Sequence, residues 1–305
     1  MGAALMWLAA LQLAGTIVLG VAALVDVGLR RRSAATRRGV WALAIAVAFS
    51  LPPTRLALAA PGAALSSWFA APLLGLWGAG AVVLLARLVR AHARAAGLCA
   101  RSVALRDEAW LASLRALDRS RRVALRVSAE IDAPLTVGAV RPAILVPQRM
   151  LAAAATERRA VLAHELAHIA RGDCLLLLVG AVVRAVYWVS PLSWWALRRL
   201  RAHAEEAADD AVLRTGVLGS SYAAQLVAVA RERLERAGRA AADGLRERVR
   251  GILDARRVRS REPRWSAPGL VGLAVLLAAL ATACEARSDD AAQAPSSVRI
   301  QADRD

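Results

Sequence analysis

Residues 3–25 form an apolar run in which Gln12 and Thr16 are the only polar side chains. As a helix it is long enough to cross the roughly 30 Å hydrocarbon core of a bilayer. A backbone in lipid must satisfy its own hydrogen bonds, which leaves helices or closed barrels as spanning structures. Further runs of similar length occupy 40–60, 67–89 and 266–283, and Pro52-Pro53 is expected to break the second one late. The sequence is 58% hydrophobic, above the roughly 45–50% usual for soluble domains. The pattern predicts a mainly α membrane protein with four transmembrane helices.

Every one of the 41 basic residues is Arg, and the net charge is +17. Arg30, Arg31, Arg32, Arg37 and Arg38 follow the first run, and Arg87 and Arg90 close the third. Cytoplasmic loops gather basic residues, so these ends are expected inside and both termini outside, in a bacterial inner membrane. The tail at 284–305 is net acidic by two, which suits an exterior end. The bilayer accounts for the basic charge. No nucleic-acid-binding module is present, so direct nucleic-acid binding is not expected. Cys99, Cys174 and Cys284 are odd in number and far apart, giving neither a disulfide framework nor a thiolate zinc site.

Between the third and fourth spans, 90–265 reads as one cytoplasmic α+β domain. Residues 90–120 are rich in Arg and Ala and predict helix. The stretch "VALRVSAEIDAPLTVGAVRPAILVP", 123–147, carries β-branched residues and Pro/Gly punctuation, predicting two or three short strands in a small sheet. Thr156 reads as an N-cap with Glu157 in the first turn, opening a helix over about 157–172. The segment 174–196 is apolar but holds Arg184 and Ser190-Pro191. Full crossing there would put the Arg-dense 198–264 outside, against the charge rule. An embedded or re-entrant segment, beginning and ending inside, is expected instead.

The helix before that segment carries His164, Glu165 and His168, an HExxH pattern. Residues i and i+4 share a helix face, so the two imidazoles can address one metal while Glu165 reaches a water beside it. With four His and eleven Glu in the chain, chance would give roughly 0.002 such matches. One zinc ion per chain, with a third protein ligand and an open position, would make a hydrolytic site. The acidic stretch "AHAEEAADDAVL", 202–213, offers the third ligand: Glu205 with Asp209, or Glu206 with Asp210, both spaced i, i+4. Geometry alone leaves that choice open. His203 and Tyr222 are candidates for stabilising an oxyanion, and Asp173 for anchoring the helix end at the interface. The strand Ala143–Val146 is a candidate edge on which an extended substrate could lie.

"AVLAHELAHIARGD", "SPLSWWALRRLRAHAEEAADDAVL" and "APLTVGAVRPAILVP" together resemble the BlaR/MecR-type membrane metallopeptidases, over roughly 85–260. The resemblance implies a gluzincin-like domain in which His164, His168 and Glu205 bind zinc, Glu165 is the base and Asp209 supports the ligands. It also implies cleavage of a protein or peptide, possible targets being a transcriptional repressor or the chain itself. Family members usually carry Arg just before the ligand glutamate and Cys before the Asp, where this sequence has Ala204 and Ala208. The family's external β-lactam sensor needs an SxxK serine, and a sequence without Lys holds none, so β-lactam sensing by this chain is not expected. Two other readings share the ligand pattern: a non-catalytic receptor or scaffold stabilised by zinc, and a housekeeping membrane protease of the HtpX or CAAX-prenyl-protease kind.

Overall fold

The computed structural model describes residues 2–57, 70–118, 123–237, 244–254 and 256–259. Helix α1 runs Gly2–Gly28, α2 Ala34–Ala57 and α3 Ala70–Arg101. Among the described residues these three are long and apolar enough to cross a membrane. The fourth predicted span, 266–283, and the tail lie outside the described residues.

Helix α2 does not stop at Pro52-Pro53 but continues to Ala57. A proline lacks the N–H that would bond the carbonyl four residues back, which for Pro52 is that of Ala48. The Tyr187 hydroxyl, fully buried, donates to that carbonyl at 3.0 Å and replaces the missing bond. Helix α3 extends well past the predicted end of its span, to Arg101, before a two-residue strand β1, Val103–Ala104. A short helix α4, Glu108–Leu117, follows, capped by the Asp107 carboxylate on the Trp110 N–H.

The predicted sheet is present with three strands in 123–147: β2 Ala124–Ser128, β3 Leu135–Val137 and β4 Ala143–Pro147. With β1 they form a mixed sheet in the order β1-β2-β4-β3, β2 and β4 being parallel and the other pairs antiparallel. Strand β4 is therefore interior, not the edge expected of Ala143–Val146. Its residues are buried throughout, as an unbroken apolar run demands. The edge beside the site is β3.

Helix α5 spans Ala155–Arg171 and carries the HExxH. Its N-cap is Ala154, and Thr156 lies inside the helix rather than capping it. Helix α6, Asp173–Val186, leaves α5 at a 59° bend, and α7, Pro191–Arg214, follows a tight turn. A Cβ on Gly180 would lie 3.0 Å from Leu197, so α7 folds back along α6 as a hairpin. The hairpin tip is held among the membrane helices. Gln12 donates to the Val186 carbonyl at 2.9 Å, Thr16 bonds Ser190 at 3.1 Å, and Trp77 also donates to Val186 at 3.0 Å. Helices α8, Gly219–Ala237, and α9, Leu245–Leu253, complete the described chain.

Two glycines admit the tip. A Cβ on Gly15 would sit 2.2 Å from the Tyr187 ring, and one on Gly80 would sit 2.4 Å from Trp188, whereas nothing lies within 4 Å of Gly75. Overpacking of this kind costs about 1–3 kcal/mol. Gly15→Ala should lower the thermal midpoint of the detergent-solubilised protein by several degrees, and Gly75→Ala should leave it unchanged. Equal midpoints for both variants would contradict the packing described.

Candidate active site

The break between α5 and α6 shapes the site. Gly172 has φ +65, a left-handed conformation that costs glycine little, and its N–H caps the carbonyls of His168 and Ile169. The chain reverses just enough to bring Asp173 back onto His168, whose Nδ1 lies 2.7 Å from Asp173 Oδ2. Asp173 is therefore more than the interfacial anchor expected from the sequence.

One turn earlier, His164 turns its Nδ1 to the Tyr222 hydroxyl at 3.1 Å and to Asp209 Oδ1 at 3.3 Å. The Tyr222 hydroxyl itself donates to Asp209 at 2.7 Å. With both Nδ1 atoms facing acceptors, a ring in its neutral form carries its N–H there and its lone pair on Nε2. These Nε2 atoms lie 3.2 Å apart. Glu205 brings its carboxylate to 3.5 Å from His164 Nε2 and 3.7 Å from His168 Nε2. Three ligand-capable atoms thus converge, an arrangement that repels itself unless a proton or cation is shared. Ligands of a tetrahedral zinc at 2.0–2.1 Å stand about 3.3 Å from one another, close to the spacings found. His164, His168 and Glu205 are the group of metal-ligating side chains found among the described residues.

The electrostatics agree. Burial pulls the His164 pKa down, but hydrogen bonds to Asp209 and Glu205 outweigh it and raise the pKa to about 9. Burial likewise works to raise the Glu205 pKa, and His164, Arg248 and His168 instead hold it down to about 2. Asp209 is depressed further, against its own burial, chiefly by Arg248 and His164. The site therefore stabilises positive charge. Arg248 of α9 forks onto Asp209 at 2.7 and 2.8 Å and reaches Glu205 at 3.0 Å, fixing the carboxylate that completes the trio.

Glu165 points beside the trio. It is buried at 8% exposure and accepts a hydrogen bond from the Thr136 hydroxyl of β3 at 2.6 Å. All four groups open onto a cavity of about 330 Å³, walled by Pro134, Leu135, Val161, Leu177, Leu226 and Val229 among others. Tyr222 lines the cavity but spends its hydroxyl on Asp209 and His164. His203 lies elsewhere, fully buried between Asp26 at 3.2 Å and Glu206 at 3.4 Å. The alternative pair is also accounted for: Glu206 binds Arg257, and Asp210 faces Arg259.

Sequence reasoning did not find Arg248, Arg38, Arg171 or Thr136. Arg248 is one of 41 identical cations with no motif around it. For Asp173 a signal did exist, a Gly-Asp pair placed to end the helix one turn after His168.

The sequence matches the family described as BlaR1 peptidase M56 over residues 59–250, well over half of the chain. "Regulatory protein BlaR1" of Bacillus licheniformis is 36% identical over 94 residues, which cover 31% of this chain and 16% of that protein. The chain therefore spans only a small part of that relative's length. With the HExxH helix and the convergent trio inside the matched region, the chain belongs to the BlaR1 peptidase M56 family.

Proposed function

We propose that this protein is a zinc-dependent endopeptidase that hydrolyses a peptide bond on the cytoplasmic side of a bacterial inner membrane. The observation that carries the reading is the convergence of His164 Nε2, His168 Nε2 and the Glu205 carboxylate within one metal's reach, with Glu165 at its flank. Two imidazoles and a carboxylate suit zinc and leave a fourth position open. Zinc so held supplies the Lewis acidity that polarises a carbonyl and acidifies water. Glu165 takes the proton from the attacking water and returns it to the departing amine, and Thr136 holds that carboxylate in place. Asp173 and Asp209 fix the ring orientations of His168 and His164. Among the described residues strand β3 pairs with β4 on one side only, and Leu135 and Thr136 line the cavity. A substrate laid against β3 as an added strand would pass Glu165 with its side chains on the apolar wall.

Two contacts support the cytoplasmic assignment. Asp26, near the end of α1, binds Arg199 of α7 at 3.0 Å, and Arg38, at the start of α2, binds Asp173 at 2.6 Å. Both lie at the Arg-rich turn between α1 and α2, the end expected inside. The hairpin tip bonds residues 12 and 16, midway along α1. Helix α6, with 14 residues, rises about 21 Å, short of a full crossing. These features favour a re-entrant 174–196 and one domain over 90–265 facing the cytoplasm. The relative is called a regulatory protein, and by that likeness a transcriptional repressor is the substrate class we favour, cleaved in response to a signal.

The metal-depleted protein should regain one zinc per chain by elemental analysis. His164→Ala, His168→Ala and Glu205→Ala should each regain none, and His203→Gln should still bind. Loss of binding in His203→Gln alone would argue for a different site. Glu165→Gln should keep full zinc occupancy while cleavage of a susceptible peptide falls at least about a hundredfold. In a strain expressing that variant, uncut substrate should accumulate and be identifiable by proteomics. Equal cleavage by variant and wild type would rule out the mechanism and favour a receptor in which zinc is structural.

A further inference from the structure

Helix α2 belongs to the membrane bundle, yet its first turn sends one side chain into the protease site. Arg38 is 3% exposed and its partner Asp173 is 2% exposed. Arg38 Nε donates to Asp173 Oδ1 at 2.8 Å and its Nη2 lies 2.6 Å from the same oxygen. The other oxygen, Oδ2, serves His168 at 2.7 Å and Arg171 at 2.6 Å. Arg38 also donates to the Arg171 carbonyl at 3.0 Å, the last residue of α5 before the 59° bend. One guanidinium thus holds both the carboxylate that orients His168 and the backbone that delivers it. Its neighbour Arg37 points away, to Asp26 at 2.6 Å.

We propose that Arg38 is a positioning residue of the metal site, acting through Asp173, so that the membrane helix α2 completes the support of His168. The proposal rests on the metal-binding reading of His164, His168 and Glu205. Asp173 makes its bonds to His168 and Arg38 through different oxygens, so losing Arg38 frees Oδ1 and lets the carboxylate rotate about its remaining bonds. The imidazole then loses its fixed angle to the other two ligands. A shift of α2 against α6 acts on His168 by the same two contacts. Groups that support a ligand in this way typically set metal affinity by about 10–100-fold.

The test uses the full chain in detergent, with zinc affinity read by competition against a chromophoric chelator and ligand geometry read from the visible spectrum of the cobalt-loaded protein. Arg38→Met should weaken zinc binding about tenfold or more and shift the cobalt bands, while Arg37→Met leaves both unchanged. In an Asp173→Ala background, Arg38→Met should have a much smaller effect, because the carboxylate arm is gone and only the contact with the Arg171 carbonyl remains. Wild-type affinity in folded Arg38→Met overturns the proposal, and so does an equal loss in both backgrounds. If Arg38→Met does not fold, Arg38→Lys carries the same cycle, since it keeps the buried charge but replaces the forked donor by a point. Several-fold weaker binding, much reduced in the Asp173→Ala background, then supports the proposal, and wild-type affinity overturns it. Failure of the wild type to bind zinc would overturn the metal-site reading itself, a result distinct from any of these.

Discussion

Three lone-pair-bearing atoms held within about one metal coordination sphere are the feature around which the rest of the site is arranged. His164 Nε2, His168 Nε2 and the Glu205 carboxylate repel one another unless positive charge lies between them. The surrounding groups keep that demand in force rather than relieve it. Asp173 and Asp209 occupy the far nitrogens of the two rings, so neither imidazole can escape by swapping its proton. Four carboxylates, Glu165, Asp173, Glu205 and Asp209, stand against three guanidinium groups, Arg38, Arg171 and Arg248. The group is left one negative charge in excess, which favours a cation among its ligand atoms. Carboxylates this buried would be costly without their paired donors, which is why the cations come from three different elements, α2, the end of α5, and α9.

The placement of those elements follows from the helical hairpin. Helices α6 and α7 must bury two apolar faces, and they do so against α1 and α2 around Trp41, Leu176, Tyr187 and Leu200. The tip needs close approach, granted by Gly15 and Gly80, and needs the Val186 carbonyl satisfied, granted by both Gln12 and Trp77. Tyr187 returns the favour by bonding the Ala48 carbonyl that Pro52 leaves open. Seating the hairpin this way sets the depth of Asp173 and Glu205 at its two ends, and so brings α5 and α7 into register.

Much of the site was legible because its chemistry is local. The i, i+4 histidines and the intervening Glu165 need only one helix, and a single helix is what a short pattern encodes. The pairing of Glu205 with Asp209 needed more, since Glu206 and Asp210 have the same spacing. The choice is made by which helix face meets α5, and Glu206 turns instead to His203 and Arg257. The strand region was legible from composition, but strand order was not. Interior β4 and edge β3 differ by a crossover that leaves no mark in either segment. Strand β1, two residues long, has no period to detect. Arg38 and Arg248 were beyond reach for a different reason. When every cation in a chain is Arg, identity carries no information about which ones are buried.

Hydrolysis needs water, yet the HExxH helix leads directly into an apolar segment. The geometry removes the conflict by turning at Gly172. Helix α5 ends before the apolar run begins, and the 59° bend separates the face that carries His164, Glu165 and His168 from the face that α6 buries. The charged groups cluster at the bend, next to the Arg-rich turn between α1 and α2, the end that the charge pattern would set at the inner surface of a bilayer. Ionisable side chains are tolerated at such a depth when they line a hydrated cavity, and the cleft beside β3 supplies one. A substrate strand entering that cleft would have to unfold locally to lie flat against β3. Under the proposed activity, flexible segments of a partner, rather than its packed core, would be what this cleft accommodates.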